Sequence, residues 1–257
     1  MGGRCVGHAM TITLRNLTAG YDRHPALHHI SGAFKEGSLT AVTGPNGGGK
    51  STLLKALIGF LRPMSGHIDF GGLKPTDIAY LPQQSAVDRS FPLHVLDVVL
   101  LGHWPRRGAF GGIGAAEKAR ALQALEQVGM GAFAHRPIAA LSSGQWQRVL
   151  FARLIVQDAK VILLDEPFAV IDGHNTHDLT HILTHWQGEG RTVIAVMHDI
   201  PLVQEHFPQS ILLARELVAW GSTADVLTDA NLAKAAHLAG HWVEHAATCE
   251  RDERARA

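Results

Sequence analysis

The chain has 257 residues, 46% of them apolar, and sets 23 lysines and arginines against 23 aspartates and glutamates, for a formal net charge of zero. Such a composition supports a sizeable globular core, and the balanced charge offers no global field for nucleic acid or an anionic lipid surface. Two cysteines, Cys5 and Cys249, are too few for a disulfide framework, and no apolar run reaches the roughly 18 to 20 residues of a membrane span.

The first ten residues also lack the apolar stretch of a signal peptide, so the chain is expected to stay on the side of the membrane where it is made. From the N-terminus, residues 11–14 read as a short strand, and 38–43 as a strand leading into a helix over 49–60. Strands at 67–70 and 78–81 are assigned with 11–14 to a smaller antiparallel layer. Strand patterns then vanish between 84 and 157, where 93–101, 115–128 and 143–156 read as helices and the glycine-rich stretch 106–114 as a surface loop. Beyond it come a strand at 161–165, a helix at 175–186, a strand at 192–197 and a helix at 201–206. Strands alternating with helices predict an α/β domain with a largely parallel central sheet and an inserted helical lobe. After Gly221 the chain is expected to end in a short helix or two and a charged, fraying tail over 250–257.

The segment Gly44-Pro45-Asn46-Gly47-Gly48-Gly49-Lys50-Ser51-Thr52 fits the G-x-x-x-x-G-K-[ST] pattern between a strand and a helix. Glycines let backbone N–H groups turn inward around phosphates, and the following helix aims its positive end at the same anion. Lys50 is placed to reach the β- and γ-phosphates of ATP, and the Ser51 hydroxyl to ligate Mg²⁺.

Val161-Ile162-Leu163-Leu164-Asp165-Glu166-Pro167 is an apolar run ending in two carboxylates, which reads as a central parallel strand with acids at its C-terminal edge. Ligands bind at that edge in such sheets. Asp165 is assigned to holding Mg²⁺ through water and Glu166 to polarising the attacking water as general base. An acidic turn capping a core strand is the plainer alternative, and the lysine loop upstream argues against it.

Leu141-Ser142-Ser143-Gly144-Gln145 resembles the LSGGQ signature of ABC ATPases, and further matches follow that family's order: Tyr21, Gln83, Asp172 and His198. The resemblance covers about residues 10–228, with 229–257 left as a histidine-containing helical tail and the helical subdomain at about 84–157. It implies an α/β P-loop NTPase core of the RecA-like kind, with an antiparallel β layer and an inserted α-helical subdomain. It also implies ATP and Mg²⁺ as cofactors and hydrolysis coupled to transport. In such a homodimer of nucleotide-binding subunits, Tyr21 would stack on adenine. Ser142, Ser143, Gly144 and Gln145 of one copy would cover the ATP held by the other. Gln83 would contact Mg²⁺ or the water, His198 would bond the γ-phosphate, and Asp172 would touch the partner copy. Ser143 departs from the usual glycine and is expected either to crowd the phosphate or to act harmlessly at a helix start.

The resemblance further implies an integral membrane permease, an extracytoplasmic solute-binding protein, a peripheral place on the cytoplasmic face of the inner or plasma membrane, and no nucleic acid. Asp88-Arg89-Ser90-Phe91-Pro92, the stretch 95–102, Phe151-Ala152-Arg153 and Asp165-Glu166-Pro167-Phe168 are similar to importers of zinc, manganese and related metals, zinc being preferred. The alternatives are an importer of iron-siderophore, haem or another solute, and a soluble ABC ATPase of DNA repair or translation. The latter would show tandem cassettes or a long coiled coil, and neither occurs. A small-molecule kinase would need no signature at Ser142 to Gln145. Near the C-terminus His237, His241, His245 and Cys249 recur every fourth residue, so one helix face could bind zinc, although a solvated polar face explains the same spacing.

Overall fold

The computed structural model describes residues 11–22, 24–83, 89–108, 111–169 and 173–241, with backbone alone at 173–177 and 240–241. It comprises two compact units, one formed by the N-terminal residues to 35, 40–72 and the chain from 198, the other by 36–39 and 73–197.

In the first unit, β1 (Ile12–Tyr21) lies between β2 (His24–Phe34) and β4 (Ser65–Asp69) in an antiparallel sheet. The strand predicted at 11–14 is therefore the start of a ten-residue one. Its alternation breaks at register shifts between Leu14 and Leu17, where Asn16 takes a left-handed φ of 51°. A bulge of this kind hides the second half of a strand from a period-two reading. The core beneath it holds Leu14, Leu17, Leu27 and Ile30, all fully buried, and Phe34 meets Trp220 with ring centroids 4.7 Å apart. A second group in this unit pairs β3 (Leu39–Thr43) in parallel with β8 (Gln209–Ala214), and β8 antiparallel with β9 (Glu216–Ser222). The helices are α1 (Lys50–Leu57), α7 (Ile200–His206), α8 (Thr223–Val226) and α9 (Asp229–His241).

In the second unit, β5 (Ile78–Leu81), β6 (Val161–Asp165) and β7 (Thr192–Val196) run parallel in that order. Every residue of β6 and β7 is buried, as expected of strands covered on both faces. Here the sequence-based assignment of 78–81 to the antiparallel layer is corrected: β5 pairs in parallel with β6, from Ile78 opposite Val161 to Leu81 opposite Leu164. A run of four residues satisfies either environment, and its partner lies far along the chain. The helices here are α2 (Val95–Leu100), α3 (Trp104–Arg107), α4 (Ala115–Gln127), α5 (Ser143–Gln157) and α6 (Gly173–Gly188). Among the described residues, no helix is long and apolar enough to cross a membrane.

Candidate functional site

In the first unit the glycine-rich loop leaves β3 and ends at α1, whose N-cap is Gly49 at φ 89°. A Cβ there would stand 2.4 Å from Leu27 Cδ2, and one on Gly44, at φ 134°, would stand 1.9 Å from the Leu213 carbonyl oxygen. Both positions therefore demand glycine, for backbone conformation and for close approach. The loop is closed by Gly48 N–H donating to the Pro45 carbonyl at 3.1 Å and by Arg215 N–H donating to the Gly48 carbonyl at 3.0 Å. Lys50 is buried, and its ammonium donates to the carbonyls of Gly44 at 2.8 Å and Pro45 at 2.9 Å. The side chain thus folds back over the loop instead of extending along α1. Asn46, Gly47, Ser51 and Thr52 complete the loop and the first turn of α1. Tyr21 ends β1 with 44% of its surface exposed, and the Lys55 ammonium lies 5.5 Å from its ring centroid, so the ring already receives a cation on one face. His198 is exposed and adjoins Asp199, which caps α7 by accepting from Leu202 N–H at 3.0 Å.

In the second unit, β6 ends in Asp165, 3% exposed, followed by Glu166 at φ 53°. A left-handed glutamate costs of order 1 kcal/mol, and this one breaks the extended line at the end of β6. Gln83, just past β5, donates from Nε2 to Glu166 Oε2 at 2.9 Å. The predicted glutamine and the predicted base are thus brought into direct contact. The oxygen chemistry of Asp165 suits a hard divalent cation such as magnesium, as does that of Ser51 in the other unit.

The signature segment forms the start of α5. Ser142 is its N-cap: its Oγ accepts from Gln145 N–H at 3.2 Å, and Gln145 Oε1 accepts from Ser142 N–H at 3.0 Å. This reciprocal box caps a 15-residue helix, whose dipole places positive potential at its N-terminus. Ser143 occupies the first helical position with negative φ, so the glycine usual there is not required for backbone conformation. Ser142→Ala should destabilise the nucleotide-free chain by about 1 kcal/mol. Thermal unfolding checks this as a midpoint lowered by about 2 to 4 °C.

Three residues that the motif search did not place in the site join it here. Gln147 is buried on α5 and donates to the Pro167 carbonyl at 2.8 Å, beside the acidic pair. Arg153, two turns on, donates from Nη2 to the Tyr80 carbonyl at 3.0 Å, and the Tyr80 hydroxyl lies 3.4 Å from Asp165 Oδ2. Burial holds the Arg153 guanidinium below the usual arginine range. The available signal was that Gln147 and Arg153 stand among Trp146, Val149, Leu150, Phe151 and Leu154 on the same helix.

Asp172 lies outside the described residues. So do His245 and Cys249, and His241 is described by backbone only; His237 lies on α9. Among the described residues no three histidine, cysteine, aspartate or glutamate side chains are grouped to hold a metal.

A sequence profile of the family described as "ABC transporter" matches residues 27–169. The zinc transport system ATP-binding protein TroB of Treponema pallidum is 41% identical over 226 residues, covering 86% of this chain and 85% of that protein. The manganese transport system ATP-binding protein MntB of Listeria monocytogenes is 40% identical over 220 residues, covering 84% of this chain and 92% of that protein. Among solved structures, the dimeric structure of a bacterial ABC transporter cassette superposes with a TM-score of 0.72 at 27% identity, covering 82% of this chain and 98% of that one.

Proposed function

Since this chain belongs to the ABC transporter family as one of its ATP-binding subunits, we propose that it powers the import of divalent metal ions, zinc foremost. It is an ATPase with an α/β P-loop core. The observation that carries the hydrolytic reading is the Gln83 amide on the Glu166 carboxylate at 2.9 Å, a sensor and a base already in contact. Relatives named for zinc and for manganese transport, each matched along most of its length, support the metal reading.

In this reading the loop from Gly44 to Thr52 binds the phosphates through its backbone N–H groups, Pro45 having none and that of Gly48 closing the loop, while Lys50 neutralises the charge and Tyr21 stacks on adenine. Magnesium, held by Ser51 and Asp165 with Gln83 nearby, would offset charge on the terminal phosphates. Glu166 takes a proton from the attacking water, and His198 steadies the γ-phosphate. Two copies act together: the N-terminus of α5, with Ser142, Ser143, Gly144 and Gln145, closes over the nucleotide of the other copy. The likeness to a dimeric cassette supports this arrangement. A membrane permease, fed by an extracytoplasmic binding protein, receives the motion, with the surface around α2 as its docking face and the chain peripheral to the cytoplasmic side.

The test is uptake by the chain reconstituted with its permease in vesicles. ATP-driven accumulation of zinc, with manganese second, is the expected result. Accumulation of manganese alone would reassign the cargo, and failure to move either metal would end the metal reading.

A further inference from the structure

Nothing in the motif set assigns a role to Tyr80, yet its side chain reaches the acid at the end of β6 from the neighbouring strand. In parallel register Tyr80 sits opposite Leu163, so its hydroxyl extends past the strand end to Asp165 Oδ2 at 3.4 Å. Its backbone is held in turn: Arg153 of α5 donates to the Tyr80 carbonyl at 3.0 Å. That bond carries weight because the guanidinium is buried and its Nε has no hydrogen-bond partner among the described residues, so losing the Tyr80 carbonyl would leave a desolvated charge with still fewer contacts. A second tie from the same helix, Gln147 to the Pro167 carbonyl at 2.8 Å, fixes the chain on the far side of Glu166. All these groups belong to one compact unit.

We propose that Tyr80 is a positioning residue for Asp165, its hydroxyl setting the carboxylate plane that receives the divalent cation of the nucleotide, with Arg153 bracing the strand that carries it. The proposal rests on the assignment of Asp165 to that cation. Its physical basis is the general dependence of carboxylate ligands on outer hydrogen-bond donors for orientation. The bond is long for O–H···O in the free chain and has room to shorten when the carboxylate is drawn toward a cation. Through Arg153 and Gln147, the helix that begins at the Ser142 cap is tied to both sides of the acidic pair. The helix and the acidic pair thus share hydrogen bonds within one unit.

Tyr80→Phe removes the hydroxyl and keeps the ring. The measurement is equilibrium ATP binding by the full chain, with magnesium and with a chelator in its place, alongside thermal unfolding. The variant is expected to bind ATP as the wild type does in chelator, to lose roughly tenfold of the magnesium-dependent tightening, and to keep its unfolding midpoint. The magnesium concentration that half-saturates hydrolysis should rise by the same factor. Tightening within twofold of wild type, with or without a lower midpoint, removes Tyr80 from this role and leaves Asp165 untouched. A wild-type chain that binds ATP equally well with and without magnesium removes the Asp165 assignment and the proposal with it.

Discussion

Glu166→Gln is expected to bind ATP with unchanged affinity while hydrolysing it roughly 10² to 10⁴ times more slowly, the usual worth of a general base. The substitution is nearly isosteric. The carbonyl oxygen of the new amide can still accept from Gln83 Nε2, so the 2.9 Å contact and the left-handed backbone at φ 53° both survive. What is lost is the capacity to take a proton. With binding intact and turnover blocked, two copies should stay closed on trapped nucleotide, and gel filtration in ATP should show a dimer that the wild type does not accumulate. Steady-state hydrolysis within tenfold of wild type would remove Glu166 as the base.

Lys50→Ala is expected to weaken ATP binding by roughly 10- to 150-fold, because a hydrogen bond to a charged group is worth about 1.5–3 kcal/mol. In the free chain the ammonium is satisfied by the carbonyls of Gly44 and Pro45, so the loop is shaped around this charge before any phosphate arrives. Removing it also leaves those two carbonyls without their donor, which loosens the loop. Lys50→Arg should rescue little, since the compact ammonium fits between two carbonyls whereas the planar fork of guanidinium does not. Equilibrium binding of ATP measures both variants, and an alanine variant within threefold of wild type would contradict the role given to Lys50.

The parts of the site that could be read from sequence are those in which chemistry is local. β6 was predicted at 161–165 and is observed over Val161–Asp165, because an unbroken apolar run closed by two acids has few other uses. The cap at Ser142 is likewise a short-range device, and so are the left-handed φ angles of the glycine loop, although its close approaches to Leu27 and Leu213 are tertiary. β2, β8 and β9 were missed altogether. β2 carries His24, His28 and His29 among its apolar residues, and β8 and β9 are separated only by Arg215 in a left-handed turn, so neither periodicity nor a loop marks them.

Sequence alone determined that this protein grips a nucleotide and belongs with ABC ATPases, since glycine, lysine, carboxylate and cap residues at fixed local spacing can serve that chemistry wherever their elements pack. Tertiary structure alone decided that β5 runs parallel to β6 and not in the antiparallel layer. That pairing brings Gln83 to Glu166, Tyr80 to Asp165 and Arg153 beneath Tyr80. The physical reason is that contacts between residues 73 to 85 positions apart depend on burial and register, which four residues of strand cannot specify by themselves.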